Sequence, residues 1–326
     1  MRAVVMRAYG DPSVLREETV PDPGTGPGSV LVRLEASGLN WHDVLVREGR
    51  YGSPLPHVPG ADGAGTRADT GERVIVLPSL SWGGRQAAPG AGWEILGDRH
   101  WGTYAELVSV PADCVLPWPA GLDARQAAAL PLTGLTVYRA LFVRGRLAPG
   151  ESVLVLGASG GVAAMAVSLA AAAGARVFVT SSSAAKIETA RQLGAAGGVG
   201  HGQDGWTSQA RALTPKREGF DLVLDSVGRW AESVACLRPG GRCVVLGASA
   251  AERAVLDVRR FYFGQYELIG TTMGSPADMA GLLSFLDSHA VPPPVIDRGF
   301  PLGEAAAAHR RMESGAGFGK IVLVHG

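Results

Sequence analysis

Cysteine is scarce in this sequence. Three occur in 326 residues, Cys114, Cys236 and Cys243, and no two of them form a Cys-x-x-Cys pair. An odd, sparse set excludes a disulfide framework and fits a reducing cytosol. Net charge is also lacking, with 30 basic against 30 acidic residues and a pI near 7.1. No long basic run appears, so neither a nucleic acid nor an anionic membrane is expected as a partner. The longest apolar stretches, such as 162–173, fall well short of the ~20 residues a bilayer-spanning helix needs. The opening MRAVVMRAYG has no apolar core of signal-peptide length. The expectation is a cytoplasmic protein whose partner is a small molecule.

Glycine and proline are plentiful, at 46 and 21 residues, which suits short strands and tight turns. The length predicts two domains rather than one. Residues 30–35 (VLVRLE) alternate apolar and polar positions, the period of a half-buried strand. Further strands are predicted at 73–77 and 104–110. Short strands between Gly and Pro turns suggest a small barrel or sandwich over the first ~120 residues. From Asp123 the pattern changes. An Ala- and Leu-rich helical stretch covers 123–143, broken near Pro131. Strands at 152–156, 176–179, 221–224 and 242–246 then alternate with helices at 161–173 and 184–193. That alternation predicts a parallel, doubly wound sheet. A last strand at 321–324 could close the first domain.

The most informative stretch is 153–163 (VLVLGASGGVA). A buried strand enters a Gly-rich turn and leaves as an apolar helix, with a second strand some 20 residues on. Glycines let a backbone approach a pyrophosphate closely, and a helix N-terminus offers free N–H groups and a positive dipole end. Dinucleotide sites for NAD place Asp or Glu at the end of the second strand. Here the chain reads Ser181, Ser182, Ser183 and, three residues on, Lys186. Hydroxyls and a lysine suit a 2′-phosphate, so NADPH is the expected cofactor.

Several segments then carry a resemblance in the right order: GLNWHD at 38–43, PGADGAG at 59–65, GERV at 71–74, GTYAE at 102–106, LTGLT at 132–136, SGGV at 159–162, DSVG at 225–228, RPGGR at 238–242 and GKIV at 319–322. The chain resembles the medium-chain dehydrogenase/reductase superfamily, and within it the zinc-free, quinone-reductase-like branch. The resemblance implies a GroES-like β domain (1–122 and 272–326) and a Rossmann domain (123–271), with the active cleft between them. It implies cofactor contacts from Ser159, Gly160, Gly161, Val162, Ser181, Ser182, Lys186, His201, Ser226, Val227, Leu246, Gly247, Ala248 and Lys320. Two positions depart from the family pattern. Ala163 replaces the third glycine of the phosphate turn, and His201 stands where a tyrosine is frequent.

The resemblance also bears on metal. Asn40, Ala61 and Ala129 match the three positions that hold catalytic zinc in many relatives, and two of these have no donor atom. Residues 82–93 contain none of the cysteines a structural zinc would need. This segment is either a lid over the substrate or a shrunken remnant of the zinc lobe. His42, Asp43, His57 and Asp62 lie close in sequence, but without a metal-ligand spacing they read as cleft or surface groups. No metal is expected. Without such a Lewis acid, alcohol oxidation is disfavoured and reduction of a quinone or conjugated enone is favoured. The resemblance places Asn40, Tyr51 and Thr133 beside the nicotinamide or substrate. Asn40 either donates to a substrate oxygen or caps a helix at Trp41; Tyr51 either orients a carbonyl or forms the pocket wall. His42 and Asp43 are a lesser acid–base pair. The alternatives are an alcohol or ketone dehydrogenase, a biosynthetic tailoring reductase, or a non-catalytic NADPH-binding protein. Pairing of the strand near 267–272 with a second copy would make a homodimer.

Overall fold

The computed structural model describes all of residues 1–326. The chain folds as two compact units. One comprises residues 1–133, 274–279 and 293–326, the other 134–273 and 280–292.

The first unit is built on a seven-stranded sheet. Its long strand, Ser29–Gly38, pairs antiparallel with Asp62–Arg67, Leu107–Pro111 and Lys320–Val324. Along it Val32 and Leu34 turn inward while Arg33 between them is exposed, as the period of two requires. The Lys320–Val324 strand is almost wholly buried and pairs on its other side with Ile296–Pro301. The C-terminal strand therefore closes this unit. The helix Ala124–Ala129 also belongs to it. Its alanines and the bare Gly38 permit a close approach, since a Cβ on Gly38 would lie 2.4 Å from the Ala128 carbonyl oxygen. Small residues on both surfaces thus seat this helix within the first unit. The core gathers Val4, Met6, Leu39, Val46, Tyr104, Phe300 and Leu323.

The second unit carries six parallel strands in the order Gly197–Gly200, Arg176–Ser181, Ser152–Val155, Phe220–Asp225, Leu237–Val245, Glu267–Gly270. Numbered along the chain this is 3-2-1-4-5-6, the doubly wound order of dinucleotide-binding domains. The central strands are continuous apolar runs because helices cover both faces. No helix is long and apolar enough to cross a membrane.

Candidate active site

In the first unit the site residues converge where Ser29–Gly38 runs into the helix Trp41–Arg47. Asn40 holds the extended backbone of a helix N-cap, and its N–H donates to Asp43 Oδ2 at 2.8 Å. Its side chain is turned away from the helix. Nδ2 donates to Asp62 Oδ2 at 2.9 Å and to the Gly38 carbonyl at 3.3 Å, and Oδ1 accepts from Lys320 Nζ at 2.6 Å. Lys320 completes its shell with the Leu39 carbonyl at 2.7 Å and Asp62 Oδ2 at 3.1 Å. Asp62 Oδ1 accepts the Leu132 N–H at 2.7 Å. Burial pushes the Asp62 carboxyl above its usual range, against the pull of Lys320 and Asn40. Both amide hydrogens of Asn40 are thus engaged within the chain, and so is the Lys320 ammonium.

Asp43 anchors a second network. Its Oδ2 also accepts from Tyr104 Oη at 3.0 Å, and Tyr104 Oη lies 3.2 Å from His309 Nε2. Arg47 faces His309 Nδ1 at 3.4 Å and pairs with Glu313 at 2.6 Å. Burial holds His309 down to about 4, so it is neutral. His42 behaves oppositely. Its Nδ1 lies 3.2 Å from Asp43 Oδ1 and its Nε2 2.5 Å from Asp98 Oδ1. Burial opposes its charge, but the two carboxylates outweigh burial and push it up to about 9. Tyr51 lies against it with ring centroids 5.0 Å apart and is itself half exposed. Burial, with Asp98 and Asp43 nearby, raises the Tyr51 phenol. A neutral phenol remains a hydrogen-bond donor. Thr133 is buried and its hydroxyl donates to the Ala129 carbonyl at 2.9 Å.

In the second unit the strand Ser152–Val155 feeds the turn 156–160 and the helix Gly161–Ala172. Gly157 sits at φ +93°, a conformation that favours glycine, and its N–H donates to Thr180 Oγ1 at 2.9 Å. Even the position a Cβ on Gly157 would take is 4.0 Å from the Ala163 methyl, ordinary contact distance, so the alanine at 163 does not crowd the turn. Gly160 is the N-cap, no side chain caps this helix, and nothing lies within 4 Å of where a Gly160 Cβ would be. Open space over an uncapped helix N-terminus suits a pyrophosphate. Ser181, at the end of its strand, accepts the Ser183 N–H at 3.1 Å, and Ser183 caps the helix Ala184–Gln192 through the Lys186 N–H at 3.4 Å. The His201 N–H reaches the Ser181 carbonyl at 3.4 Å. Asp225, fully buried, accepts the N–H groups of Val227 and Gly228, each at 2.8 Å, and fixes the turn carrying Ser226. The Leu246 N–H bonds the Asp225 carbonyl at 2.9 Å, and a Cβ on Gly247 would come within 2.5 Å of the Ser226 oxygen. The turns holding Ser159–Val162, Ser181–Lys186, His201, Ser226–Val227 and Leu246–Ala248 all follow the carboxyl ends of parallel strands, where ligands bind in such sheets.

A family model described as "Alcohol dehydrogenase GroES-like domain" matches residues 26–120, and one described as "Zinc-binding dehydrogenase" matches 161–288. A zinc-type alcohol dehydrogenase-like protein of Schizosaccharomyces pombe is 33% identical, with 91% of each chain covered. The chain belongs to the medium-chain dehydrogenase/reductase superfamily. Mouse quinone oxidoreductase is 30% identical over 99% of this chain and 98% of its own. The solved structure of an NAD-dependent alcohol dehydrogenase superposes with a TM-score of 0.94 at 36% identity, with both chains covered in full. The chain is therefore an oxidoreductase of a nicotinamide-dependent fold. The zinc named in one family description does not suit the donor set. Ala61 and Ala129 offer no ligand atom, Asn40 Oδ1 faces an ammonium, and no group of three His, Cys, Asp or Glu side chains could hold a metal ion.

Asp98, Tyr104 and His309 escaped sequence reasoning. Each meets partners 56 to 205 residues away, a separation with no local pattern.

Proposed function

We propose that this oxidoreductase is an NADPH-dependent reductase of quinones or α,β-unsaturated carbonyls that works without zinc, in the cytoplasm, as a homodimer. The observation that carries the reading is the Lys320 ammonium bonded to Asn40 Oδ1 at 2.6 Å, at the position matched to a zinc ligand. A charge already neutralised by Asp62 occupies that donor, so the first unit supplies hydrogen bonds rather than a Lewis acid.

When bound, the nicotinamide supplies hydride to the electrophilic carbon of the acceptor. Gly160, Gly161 and Val162 present backbone N–H groups to its pyrophosphate. Ser181, Ser182 and Lys186 hold the 2′-phosphate, where an acid would repel it. His201, Ser226, Val227, Leu246, Gly247 and Ala248 border the remaining nucleotide. Because Asn40 and Lys320 are engaged internally, they act by fixing the start of the Trp41 helix. Tyr51, half exposed, is the first unit's donor to the acceptor oxygen and stabilises the negative charge developing there. Thr133 stands near the nicotinamide carboxamide. The free, buried cysteines suit a reducing compartment.

The relatives named alcohol dehydrogenases favour a second reading, oxidation of an alcohol or reduction of a ketone. One experiment separates the two. Metal-stripped protein is titrated with NADPH and NADH by nicotinamide fluorescence, and a quinone, an enone and a ketone are then added. Tight NADPH binding with chelator-insensitive oxidation by quinone or enone supports the proposal. Turnover of the ketone alone moves the assignment to the second reading, and binding without turnover to a non-catalytic role.

A further inference from the structure

The lobe around residues 79–98 is held by very little pairing of its own. Ser79–Leu80 and Glu94–Ile95 form a ladder of two residue pairs, and most of 83–92 is exposed. So short a hairpin does not stand alone in water. Inside it, Trp82 and Trp93 meet edge to face at 5.9 Å, and the Trp93 indole N–H donates to Ser79 Oγ. Near the tip, Gln86 accepts from Ser275 Oγ at 2.6 Å. Its return limb is gripped by two histidines. His57 Nε2 donates to the Gly97 carbonyl at 2.7 Å, and His42 Nε2 donates to Asp98 Oδ1 at 2.5 Å. Gly97 presses on the Gly60 backbone, where a Cβ would come within 2.8 Å of the carbonyl oxygen.

Of the two grips, His42 is the one that also touches Tyr51. The groups facing it are Asp43 from its own helix, Asp98 from the lobe, the Tyr51 ring, and His57, whose charge it opposes. We infer that His42 is a positioning residue, joining the 79–98 lobe to the helix beneath Tyr51 through Asp98 and so setting which acceptors fit beside that tyrosine. This rests on the reductase reading above for the acceptor, but not for the bond itself. The physical reason is the charge sequence carboxylate, imidazolium, carboxylate. Removing the central cation leaves Asp43, fully buried, and Asp98, nearly so, facing each other without a counter-charge. Asp98 is the one with access to water, so it swings outward and the lobe goes with it.

Hydrogen exchange of the nucleotide-free wild type, His42→Gln and Asp98→Asn tests this, alongside KM and kcat for a small and a bulky quinone. Expected in both variants is exchange on the order of tenfold faster across 79–101, unchanged protection in the six-stranded sheet, and a several-fold KM change confined to the bulky quinone. Should His42→Gln fail to fold, Asp98→Asn decides, because it weakens the same link from the lobe side by removing the carboxylate charge and leaves His42 in place beside Asp43. Unchanged protection of 79–101, or a loss spread evenly over the chain, overturns the inference. A looser lobe with KM unaltered for both quinones overturns its substrate role. A wild type that reduces neither quinone nor enone sinks the reductase reading alone, and exchange still decides whether His42 holds the lobe.

Discussion

Lys320 shows how far a residue's sequence context can mislead about its neighbours. Its place in the GKIV segment suggests a cofactor contact, yet its ammonium is buried and bonded to Leu39, Asn40 and Asp62. Lys320→Met would leave the Asp62 carboxylate buried without its partner, a loss of about 3–5 kcal/mol. Denaturant unfolding should show it, and Asp62→Asn added to Lys320→Met should recover part of it. Lys186 carries the opposite kind of expectation. If it holds the 2′-phosphate, Lys186→Ala should weaken NADPH about tenfold, roughly 1.4 kcal/mol, and leave NADH unchanged. Equal weakening of both nucleotides in a fluorescence titration would remove the assigned role. That the glycine turn and the segments at 181–186, 226–227 and 246–248 follow strands of the parallel sheet was legible because each lies within a few residues of a strand terminus. The partners of Asn40 were not, because Asp62 and Lys320 are 22 and 280 residues away.

Among elements, those with strong periodicity or clear punctuation were the most legible. The predicted helix 161–173 is observed as Gly161–Ala172, and the predicted strand 152–156 as Ser152–Val155. The strand predicted at 242–246 instead runs Leu237–Val245. Its Pro239, Gly240 and Gly241 read as a turn, but pairing resumes across an irregularity beside Phe220. Residues 238–241 have no partner on that neighbouring strand and Gly240 stands at φ +73°, so the turn is kept as a bulge and regular pairing begins at Arg242. The strand predicted at 104–110 begins at Leu107, because the backbone before it bonds elsewhere, the Tyr104 N–H to the Pro59 carbonyl, the Val4 N–H to the Tyr104 carbonyl and the Glu106 N–H to the Arg2 carbonyl. The strand-to-helix turn also yields a test. Gly157→Val forces a β-branched side chain into a backbone at φ +93°. Nucleotide affinity should fall by tenfold or more, with strain on the order of 1–3 kcal/mol. Calorimetric titration with NADPH measures the first and thermal unfolding the second.

Buried histidines of opposite tendency govern how the whole molecule responds to pH. His42, raised from 6.5 to about 9, contributes stability that is complete below pH 6.5 and disappears as pH climbs through 9. His309 and His325, lowered by burial from 6.5 to about 4, contribute stability that is complete above pH 6.5 and disappears as pH falls through 4. Each is worth on the order of 3 kcal/mol. The melting temperature should peak between these limbs, with His42→Gln flattening the alkaline one and His309→Gln the acid one. The homodimer is a further expectation at this scale. Glu267–Gly270 pairs on one side only, and the preceding helix Val258–Phe263 leaves Val258, Tyr262 and Phe263 exposed. Sedimentation should give a dimer, and Phe263→Glu should shift it toward monomer; a monomeric wild type would refute the pairing.

The sequence by itself determined the two-part architecture, the parallel sheet and the nucleotide turn, because hydrophobic period, glycine and helix dipole act over a few residues. Only the tertiary structure decided that Asn40 faces Lys320 and Asp62, that Asp43 gathers Tyr104 and His42, and that the 79–98 lobe is held by histidines. Such contacts depend on which distant strands and loops the sheet brings within hydrogen-bond reach of one another, and buried charge takes whatever partner is there.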